Sequence, residues 1–345
     1  MTSPRPVGRI RVTAAAESRN PAGSYRAALD DAADCAGSVS GWLEYDLTIG
    51  SRRVRLRFAG RTLEPLLLPP LMHAVTEPAG LASAVLSIWD SVSTGVTGPE
   101  QPWRSDAVLG RTAVRGFDGV AQDPGSGCVS AFDPAARRGV LWAPDPACVA
   151  WYERAAPLRT LLNWALAGPA SRLVHAAVVG SGRSGALFAG PGGSGKSTLA
   201  LACTERGLGL VGDDYVLLEG DRAYAVHATA KVDARSLELL GSRPQAFPPG
   251  GMDGEKVVLA VEVLRETRIG AVVLPAVTPG HAALSPATGA EALRALAPST
   301  IFQMPPTAVP LAPLAALVRS VPSYRLETGA DPRAAAALVE EALGA

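Results

Sequence analysis

Residues 186–214 read ALFAGPGGSGKSTLALACTERGLGLVGDD, and this stretch decides the fold. A short apolar run comes first, and a glycine-rich loop follows it. The next run favours a helix from Ser197 to Arg206, after which a second apolar run, 208–211, precedes two adjacent aspartates. This order of strand, loop, helix and strand indicates an α/β domain.

The glycine-rich loop matches the pattern GxxxxGK[ST] at every required position. Glycines let successive backbone N–H groups converge on a phosphate, and the start of the following helix adds a positive dipole end. Lys196 would bring an ammonium group to the β- and γ-phosphates, and Ser197 would place its hydroxyl on Mg²⁺. We therefore predict binding of ATP and Mg²⁺. The residues predicted to bind the nucleotide in this loop are Gly190, Pro191, Gly192, Gly193, Ser194, Gly195, Lys196, Ser197 and Thr198.

Asp213 and Asp214 follow the loop after one helix and one strand. Another strand-like run, 215–218, begins directly after them, so the pattern predicts a tight β turn that sets both carboxylates beside the phosphate loop. Two adjacent carboxylates there suit metal binding together with general-base work on an attacking hydroxyl. A GTPase would need the base-reading motif NKxD, and the nearest stretch, AKVD at 230–233, lacks the asparagine and comes too early.

The relative numbers of lysine and arginine give a second indication of which residues are functional. Only three of the 32 basic residues are lysines, namely Lys196, Lys231 and Lys256. A coding bias toward arginine would replace lysine wherever any cation suffices. Our hypothesis is that lysine persists where a compact ammonium is needed and a planar guanidinium does not fit.

The chain before this region predicts a different domain. Residues 1–40 show little periodicity and are expected to be mostly irregular. Apolar residues then alternate over 42–49 and 54–58, around Gly50-Ser51, which predicts a β-hairpin. Further strand-like runs lie at 84–89, 114–117, 128–132 and 140–142, and a short helix is expected near 63–75. We predict a mostly antiparallel β domain over residues 1–146, without catalytic residues and with acceptor docking as a possible role.

The remaining boundaries follow from helical spacing. Apolar residues recur every three or four positions between 147 and 167, and Gly168-Pro169 ends the pattern. We predict a connecting helix over 147–170 and a catalytic α/β domain over 171–345. An antiparallel hairpin over 173–189 is expected to lead into the phosphate loop, and Asp331 is expected to cap the last helix.

Composition excludes several classes of protein. Lys plus Arg and Asp plus Glu are both 32, so the formal net charge is zero, which argues against a nucleic-acid-binding protein. No apolar run approaches the roughly 18 residues that a membrane span needs. The N-terminus shows no secretory signal, and the four cysteines have no CxxC spacing. We expect a cytoplasmic protein with buried, reduced thiols and no membrane partner.

The arrangement of His175, the loop at 190–197 and Gly212-Asp213-Asp214 resembles the HPr kinase/phosphorylase superfamily, whose fold is related to that of phosphoenolpyruvate carboxykinase. The resemblance covers residues 172–343, about half of the chain. Within the superfamily the chain looks closer to the HPr kinase-like proteins of lasso-peptide and related biosynthetic clusters, some of which phosphorylate a serine of a precursor peptide. The similar stretches are LVHAAVVG, AGPGGSGKSTLALA, GDDYVLL, TAKVD and EKVVL.

The resemblance implies roles for individual residues. Lys196 would hold the β- and γ-phosphates, and Ser197 would hold the metal. Asp213 would be the base that takes the hydroxyl proton, Asp214 would help with metal or water, and His175 would support the aspartate.

Other consequences of the resemblance concern the lysines and the substrate. Lys231 and Lys256 are candidates for stabilising charge on the transferring phosphoryl group. The glycine loop that carries Glu and Arg in the bifunctional enzymes is absent, because residues 227–231 read HATAK here. The resemblance therefore does not extend to phosphorolysis or to HPr as the substrate. HPr kinases are oligomers, so a homo-oligomer is a possibility.

The sequence as a whole predicts an ATP- and Mg²⁺-dependent phosphotransferase that acts on an alcohol. The expected acceptor is a serine hydroxyl of a peptide or protein, and a small-molecule alcohol is the alternative. A non-catalytic ATP-binding module in a biosynthetic assembly is a second hypothesis, since a sensor needs the phosphate loop but no base. A carboxykinase would need a dedicated set of carboxylate- and metal-binding groups, for which the sequence shows no His/Asp cluster.

Overall fold

A computed structural model describes residues 10–11, 20–78, 80–104, 108–109, 113–181, 183–241, 256–303 and 311–344. In these ranges the chain is a mixed α/β protein with two nine-stranded mixed sheets. The helices α1 to α10 span Pro21–Ser40, Glu64–Leu67, Ser91–Thr94, Trp151–Ala155, Arg159–Leu166, Lys196–Glu205, Ala234–Leu240, Gly289–Gln303, Ala312–Ser320 and Pro332–Leu343.

The first large sheet is formed by residues of the N-terminal half. Strands β1 to β11 span Ile10–Arg11, Trp42–Ile49, Arg52–Ala59, Val75–Thr76, Ala84–Asp90, Val96–Thr97, Val108–Leu109, Ala113–Val114, Val120–Gln122, Val129–Asp133 and Arg138–Ala143. The order in the sheet is β4-β2-β3-β5-β11-β10-β9-β8-β7, and β1 pairs separately with β6. At the centre, β5 is parallel to both β3 and β11, while the other neighbours are antiparallel. The domain predicted as mostly antiparallel therefore has a mixed sheet, in which two of the eight strand pairings are parallel.

The predicted hairpin at the start of this sheet is confirmed. Strands β2 and β3 pair along their whole length, from Trp42 opposite Ala59 to Ile49 opposite Arg52. The runs predicted at 84–89, 128–132 and 140–142 are strands as well. The run at 114–117 is a strand only over Ala113–Val114, and the helix expected near 63–75 is α2 followed by a 3-10 helix, Pro69–Ala74.

The expectation that residues 1–40 are mostly irregular is wrong, because α1 fills the second half of that range. Asn20 caps the helix by accepting a hydrogen bond from the Gly23 N–H at 2.9 Å, and Pro21 occupies the first turn. Apart from Tyr25 and Leu29, the buried face consists mainly of alanines, whose weak hydrophobicity hides the helical period.

The predicted connecting helix over 147–170 is also wrong. The segment forms two short helices, α4 and α5, separated at 156–158. Pro157 has no N–H to donate and disfavours the helical conformation at Ala156. Leu158 then adopts a left-handed φ of 57° and starts the second helix.

The second large sheet carries the phosphate loop. Strands β12 to β22 span Ser171–His175, Ala177–Gly180, Gly185–Phe188, Gly209–Gly212, Tyr215–Glu219, Arg222–Ala225, Thr229–Asp233, Lys256–Ala260, Glu266–Ala276, Ala283–Ala287 and Ser323–Glu327. The order is β12-β16-β17-β20-β14-β13-β15, with β22 beside β20 and β21 beside β22. Strands β18 and β19 form a separate antiparallel pair. The predicted hairpin before the loop is confirmed by the antiparallel pairing of β13 with β14, and Asp331 caps α10 as predicted.

The predicted tight turn at Asp213-Asp214 is wrong. Strands β12 and β13 pair with β16 and β15 respectively, and the paired residues include His175 with Tyr215 and Val178 with Gly212. Strands β15 and β16 therefore run in the same direction beside the successive strands β12 and β13. The two aspartates interrupt this antiparallel pairing between β15 and β16. The Ala176 N–H donates to the Asp214 carbonyl across the break, at 3.1 Å.

The two large sheets share one core. A single cluster of buried apolar residues runs from Leu47 and Leu86 of the first sheet, through Leu162 of α5, to Leu173 and Leu217 of the second. Among the described helices, none is both long and apolar enough to cross a bilayer. All four cysteines are unbonded, but only Cys128 and Cys203 are buried as expected, because Cys148 is exposed and Cys35 is half-buried.

Candidate active site around the phosphate loop

The glycine-rich loop lies between β14 and α6 and is shaped by two left-handed glycines. Gly193 has a φ of 80° and Gly195 a φ of 91°, a region that residues with a Cβ atom rarely adopt. The space that a Cβ atom would fill at Gly192 and Gly193 is open. The loop therefore presents backbone to solvent at the start of a helix, as a phosphate cradle requires.

Lys196 is the first residue of α6 and is folded back onto the loop. Its Nζ donates to the carbonyl oxygens of Gly190 at 2.7 Å and Pro191 at 2.9 Å. The residue is 7% exposed, and this burial lowers the pKa of Lys196, against the opposing charges of the two nearby aspartates. The ammonium is thus held at the loop by neutral acceptors that a phosphate could replace.

Asp213 is the most buried of the candidate catalytic residues, with 2% exposed. Its Oδ2 accepts a hydrogen bond from the backbone N–H of Lys231 at 2.8 Å, while its Oδ1 is buried without a hydrogen-bond partner. Burial raises the pKa of Asp213 to about 6, and the neighbouring charge of Asp214 acts in the same direction. A carboxylate in this state is suited to accept a proton near neutral pH.

Asp214 has a different environment from its neighbour. Its Oδ2 forms an ion pair with Nζ of Lys231, and its Oδ1 lies 3.7 Å from Nε2 of His175. Burial alone would raise the pKa of Asp214, but the Lys231 charge and the His175 contact outweigh it and hold the pKa well below its usual value. His175 therefore supports Asp214 rather than the predicted base, Asp213.

The oxygen atoms around Ser197 fit a divalent cation. The Ser197 hydroxyl lies near enough to the Asp213 carboxyl to lower its pKa, although the two make no hydrogen bond of normal geometry. Hydroxyl and carboxylate oxygens are the ligands that Mg²⁺ prefers, and the unpartnered Oδ1 of Asp213 has capacity for one. Ser197 was predicted as a metal ligand together with Asp214. The structure places Asp213 beside Ser197 and leaves the assignment of Asp214 as a prediction.

Lys196 and Lys231 contact this site, and Lys256 is near enough for its charge to act on Lys196. Lys256 is exposed at the start of β19, opposite Asp233, and its charge acts on Lys196. The side chain of Lys231 is 17% exposed and lies between the acidic pair and Trp151, whose ring centroid is 6.0 Å from Nζ. The hypothesis that lysine persists where a compact ammonium is needed stays a prediction for Lys196 and Lys231, and the exposure of Lys256 gives it no support there.

Two hydroxyl-bearing loop residues stand apart from the acidic pair. The hydroxyl of Thr198 hydrogen-bonds with that of Ser236 at 2.7 Å and so links α6 to α7. Ser194 has a buried hydroxyl without a hydrogen-bond partner. In the described parts of the chain, no group of three or more His, Cys, Asp and Glu side chains is arranged to hold a metal ion.

Sequence reasoning missed a buried polar network behind the acidic pair. Arg159 donates to the hydroxyl of Tyr215 at 3.3 Å, and Tyr215 is the residue after Asp214. The Tyr215 ring packs edge-on against both His175 and His227. His227 in turn hydrogen-bonds with the Pro157 carbonyl at 2.9 Å. Three of these contacts join residues 40 to 70 apart in sequence, so no local spacing could have indicated them.

A comparison of the sequence with models of known protein families gives no match, and a comparison with curated proteins gives none. The chemistry of the site is therefore inferred from its own residues. Those residues are a glycine-rich loop at a helix start, a folded-back lysine, a hydroxyl near a buried carboxylate, and a second carboxylate held by a lysine and a histidine.

Proposed function

We propose that this chain is a cytoplasmic kinase of the HPr kinase type, which moves the γ-phosphoryl group of ATP to a hydroxyl. The acceptor that we propose is a serine of a peptide or protein. The observation that carries the proposal is the position of Asp213. Its carboxylate is buried, has one oxygen without a hydrogen-bond partner, and lies near the hydroxyl of Ser197, the residue that follows the loop lysine. A module that only sensed ATP could use this carboxylate as a metal ligand, but it would not need one whose raised pKa suits it to take a proton.

The proposed reaction is an in-line displacement. The acceptor oxygen attacks the γ-phosphorus, the bond to the β–γ bridging oxygen breaks, and ADP leaves. The proton of the acceptor hydroxyl passes to the carboxylate of Asp213. A base with a pKa raised to about 6 is largely ionised at neutral pH and remains able to take that proton.

The loop and its lysine supply the binding. The Lys196 ammonium would leave the carbonyls of Gly190 and Pro191 and bind the β- and γ-phosphate oxygens instead. The backbone N–H groups of the loop would donate to the same phosphates. Ser197 and the acidic pair would hold Mg²⁺, which when bound neutralises charge on the phosphates. Lys256 is available at the rim for charge on the transferring group.

The experiment that tests the proposal is label transfer from γ-labelled ATP with Mg²⁺ into an extract of the source cells. Lys196→Ala is the control for the site, and the products are separated into macromolecular and small-molecule fractions. Label that depends on Lys196 in peptide or protein would support the proposal. Label in a small molecule would identify a metabolite kinase. No transfer in either fraction, with nucleotide binding intact, would leave the non-catalytic module.

A further inference from the structure

Lys231 contacts both carboxylates of the acidic pair through two different groups. Its backbone N–H donates to Oδ2 of Asp213 at 2.8 Å, and its Nζ pairs with Oδ2 of Asp214. Two successive side chains of a regular strand point to opposite faces, so one residue could not hold both of them. The break in the sheet at Asp213-Asp214 is what brings both carboxylates to Lys231.

The position of Lys231 is fixed from outside the second sheet. The three residues at the approach to β18 each bond to a backbone carbonyl of the N-terminal or connecting segments. These bonds are His227 to Pro157 at 2.9 Å, Ala228 to Pro70 at 2.8 Å and Thr229 to Ala155 at 2.5 Å. The strand that carries Lys231 is therefore anchored immediately before it reaches the acidic pair.

The surroundings of the Lys231 ammonium do not resemble those of a phosphate ligand. Lys196 lies on the loop, whereas the Lys231 side chain is 17% exposed and is engaged by a carboxylate that is itself 22% exposed. If Lys231 moved to a phosphate, two adjacent carboxylates would be left without their nearest cation. An uncompensated buried charge is strongly unfavourable.

We propose that Lys231 is a positioning residue, which fixes Asp213 through its backbone and Asp214 through its ammonium so that the pair keeps one geometry. This inference rests on the proposed function, because it assigns Lys231 to the pair that would accept the proton and hold the metal. It differs from the role expected from sequence, in which Lys231 would stabilise charge on the phosphoryl group. It also explains why a chain so rich in arginine keeps lysine here, since a guanidinium is bulkier and planar.

The first test compares Lys231→Met and Lys231→Arg with the full-length wild-type chain. Release of labelled phosphate from γ-labelled ATP to water gives kcat and KM without an identified acceptor, and calorimetry gives the affinity for MgADP. We expect kcat to fall about 100-fold in Lys231→Met, as a small misplacement of reacting groups can cause, with KM for ATP and MgADP affinity within about threefold. Lys231→Arg should recover little activity. Arg268→Met, which removes an exposed cation paired with Asp221, should change neither quantity.

Chemical rescue separates the ammonium from the fold. In Lys231→Cys, alkylation with 2-bromoethylamine places an ammonium at nearly the same distance from the backbone, and alkylation with iodoacetamide places a neutral amide there. The first should restore most of kcat and the second should not. Wild-type chain treated in parallel controls for the four native cysteines, of which Cys148 is exposed. A tenfold or larger loss of ATP affinity in Lys231→Met, with kcat retained, would overturn the inference in favour of a phosphate ligand.

A second measurement does not depend on catalysis. Urea unfolding of Lys231→Met, Asp214→Asn and the double variant forms a double-mutant cycle. We expect Lys231→Met to lower stability much less in the Asp214→Asn background than in the wild type. Additive effects would show that the two side chains do not act together and would overturn the inference. If the wild-type chain binds nucleotide but transfers phosphate to no acceptor, the proposed function fails, and this cycle still decides whether Lys231 holds the pair.

Discussion

Asp46 in the first sheet and Asp213 in the second are equally buried, each with 2% exposed, but their partners differ. Both oxygens of Asp46 accept hydrogen bonds from the guanidinium of Arg55, at 2.7 and 3.1 Å. Asp213 receives one backbone N–H, and its second oxygen is buried without a hydrogen-bond partner. A buried acid that is fully paired stabilises a fold, and one that is left unpaired is available to a ligand or a proton.

The cations that pair with acids also differ between the first sheet and the site. Arg57 and Arg138 of the first sheet form partly exposed ion pairs with Glu44 and with Asp30 of α1. Exposed pairs of this kind contribute little to stability and place no demand on the shape of the cation. At the site, Lys196 bonds to the loop carbonyls, Lys231 pairs with Asp214, and the charge of Lys256 acts on Lys196. The two regions therefore differ in what the cation contacts: partly exposed acids in the first sheet, and the loop carbonyls and the acidic pair at the site.

The largest effect that we expect comes from replacing Asp213 with asparagine, and the same replacement at the equally buried Asp46 provides the comparison. Asp213→Asn should lower phosphoryl transfer by about 10²–10⁴-fold, the range for loss of a general base, with stability and the affinity for metal-free ADP nearly unchanged. Asp46→Asn is the matched control. It should lower the free energy of unfolding by about 1 kcal/mol, because it weakens a pair whose arginine is partly exposed.

Kinetics of labelled phosphate release and urea unfolding of the same two proteins provide the check. Transfer per folded molecule should be unchanged in Asp46→Asn. If Asp213→Asn kept its activity and lost stability instead, the two acids would be equivalent and the assignment of Asp213 as the base would be wrong.

The sequence predicted the phosphate loop, α6 and the two hairpins because each depends on local chemistry. A glycine pattern, a helix start or an alternation of apolar residues can be read within about twenty residues. It failed at α1, where alanines conceal the helical period, and at Pro157, where a proline interrupts a regular apolar pattern. Both failures come from residues that change structure without changing hydropathy.

The same difference between local and long-range features decides which parts of the site could be predicted. The loop residues, the acidic pair and His175 were predicted from spacing and resemblance, and the structure brings them together. The contact of Lys231 with both aspartates and the bond from Arg159 to Tyr215 were not predicted. They depend on how β18 and α5 pack against the second sheet, and a linear pattern carries no signal for packing between distant segments.

A smaller effect concerns His227, a buried histidine beside the site whose Nε2 hydrogen-bonds with the Pro157 carbonyl. Burial lowers the pKa of His227 to about 4, so the folded chain resists protonation while the unfolded chain takes up a proton near its ordinary value of 6.5. Stability should therefore be unaffected above pH 6.5 and should fall as the pH drops toward 4. The loss is about 2–3 kcal/mol by pH 4.5.

Urea unfolding at pH 7.5 and 4.5 measures this dependence. His227→Gln, which can still donate to the Pro157 carbonyl, should show a smaller loss of stability between the two values. His281→Gln, at an exposed position, is the matched control and should behave as wild type. An equal loss in wild type and His227→Gln would mean that His227 is protonated in the folded chain, and that the region around the acidic pair is wetter than its burial indicates.

The smallest effect tests whether a loop hydroxyl belongs to the ligand or to the fold. Thr198 was predicted to bind nucleotide, and in the structure its hydroxyl bonds with that of Ser236 on α7. Thr198→Val keeps the shape and removes this one hydrogen bond, so stability should fall by about 1 kcal/mol. Affinity for MgADP should stay within about twofold, because the backbone N–H at this position is retained. If calorimetry showed a larger loss of affinity with stability unchanged, the hydroxyl would turn toward the phosphates on binding. Thr198 would then resemble Asp213 in serving the ligand rather than Asp46 in serving the fold.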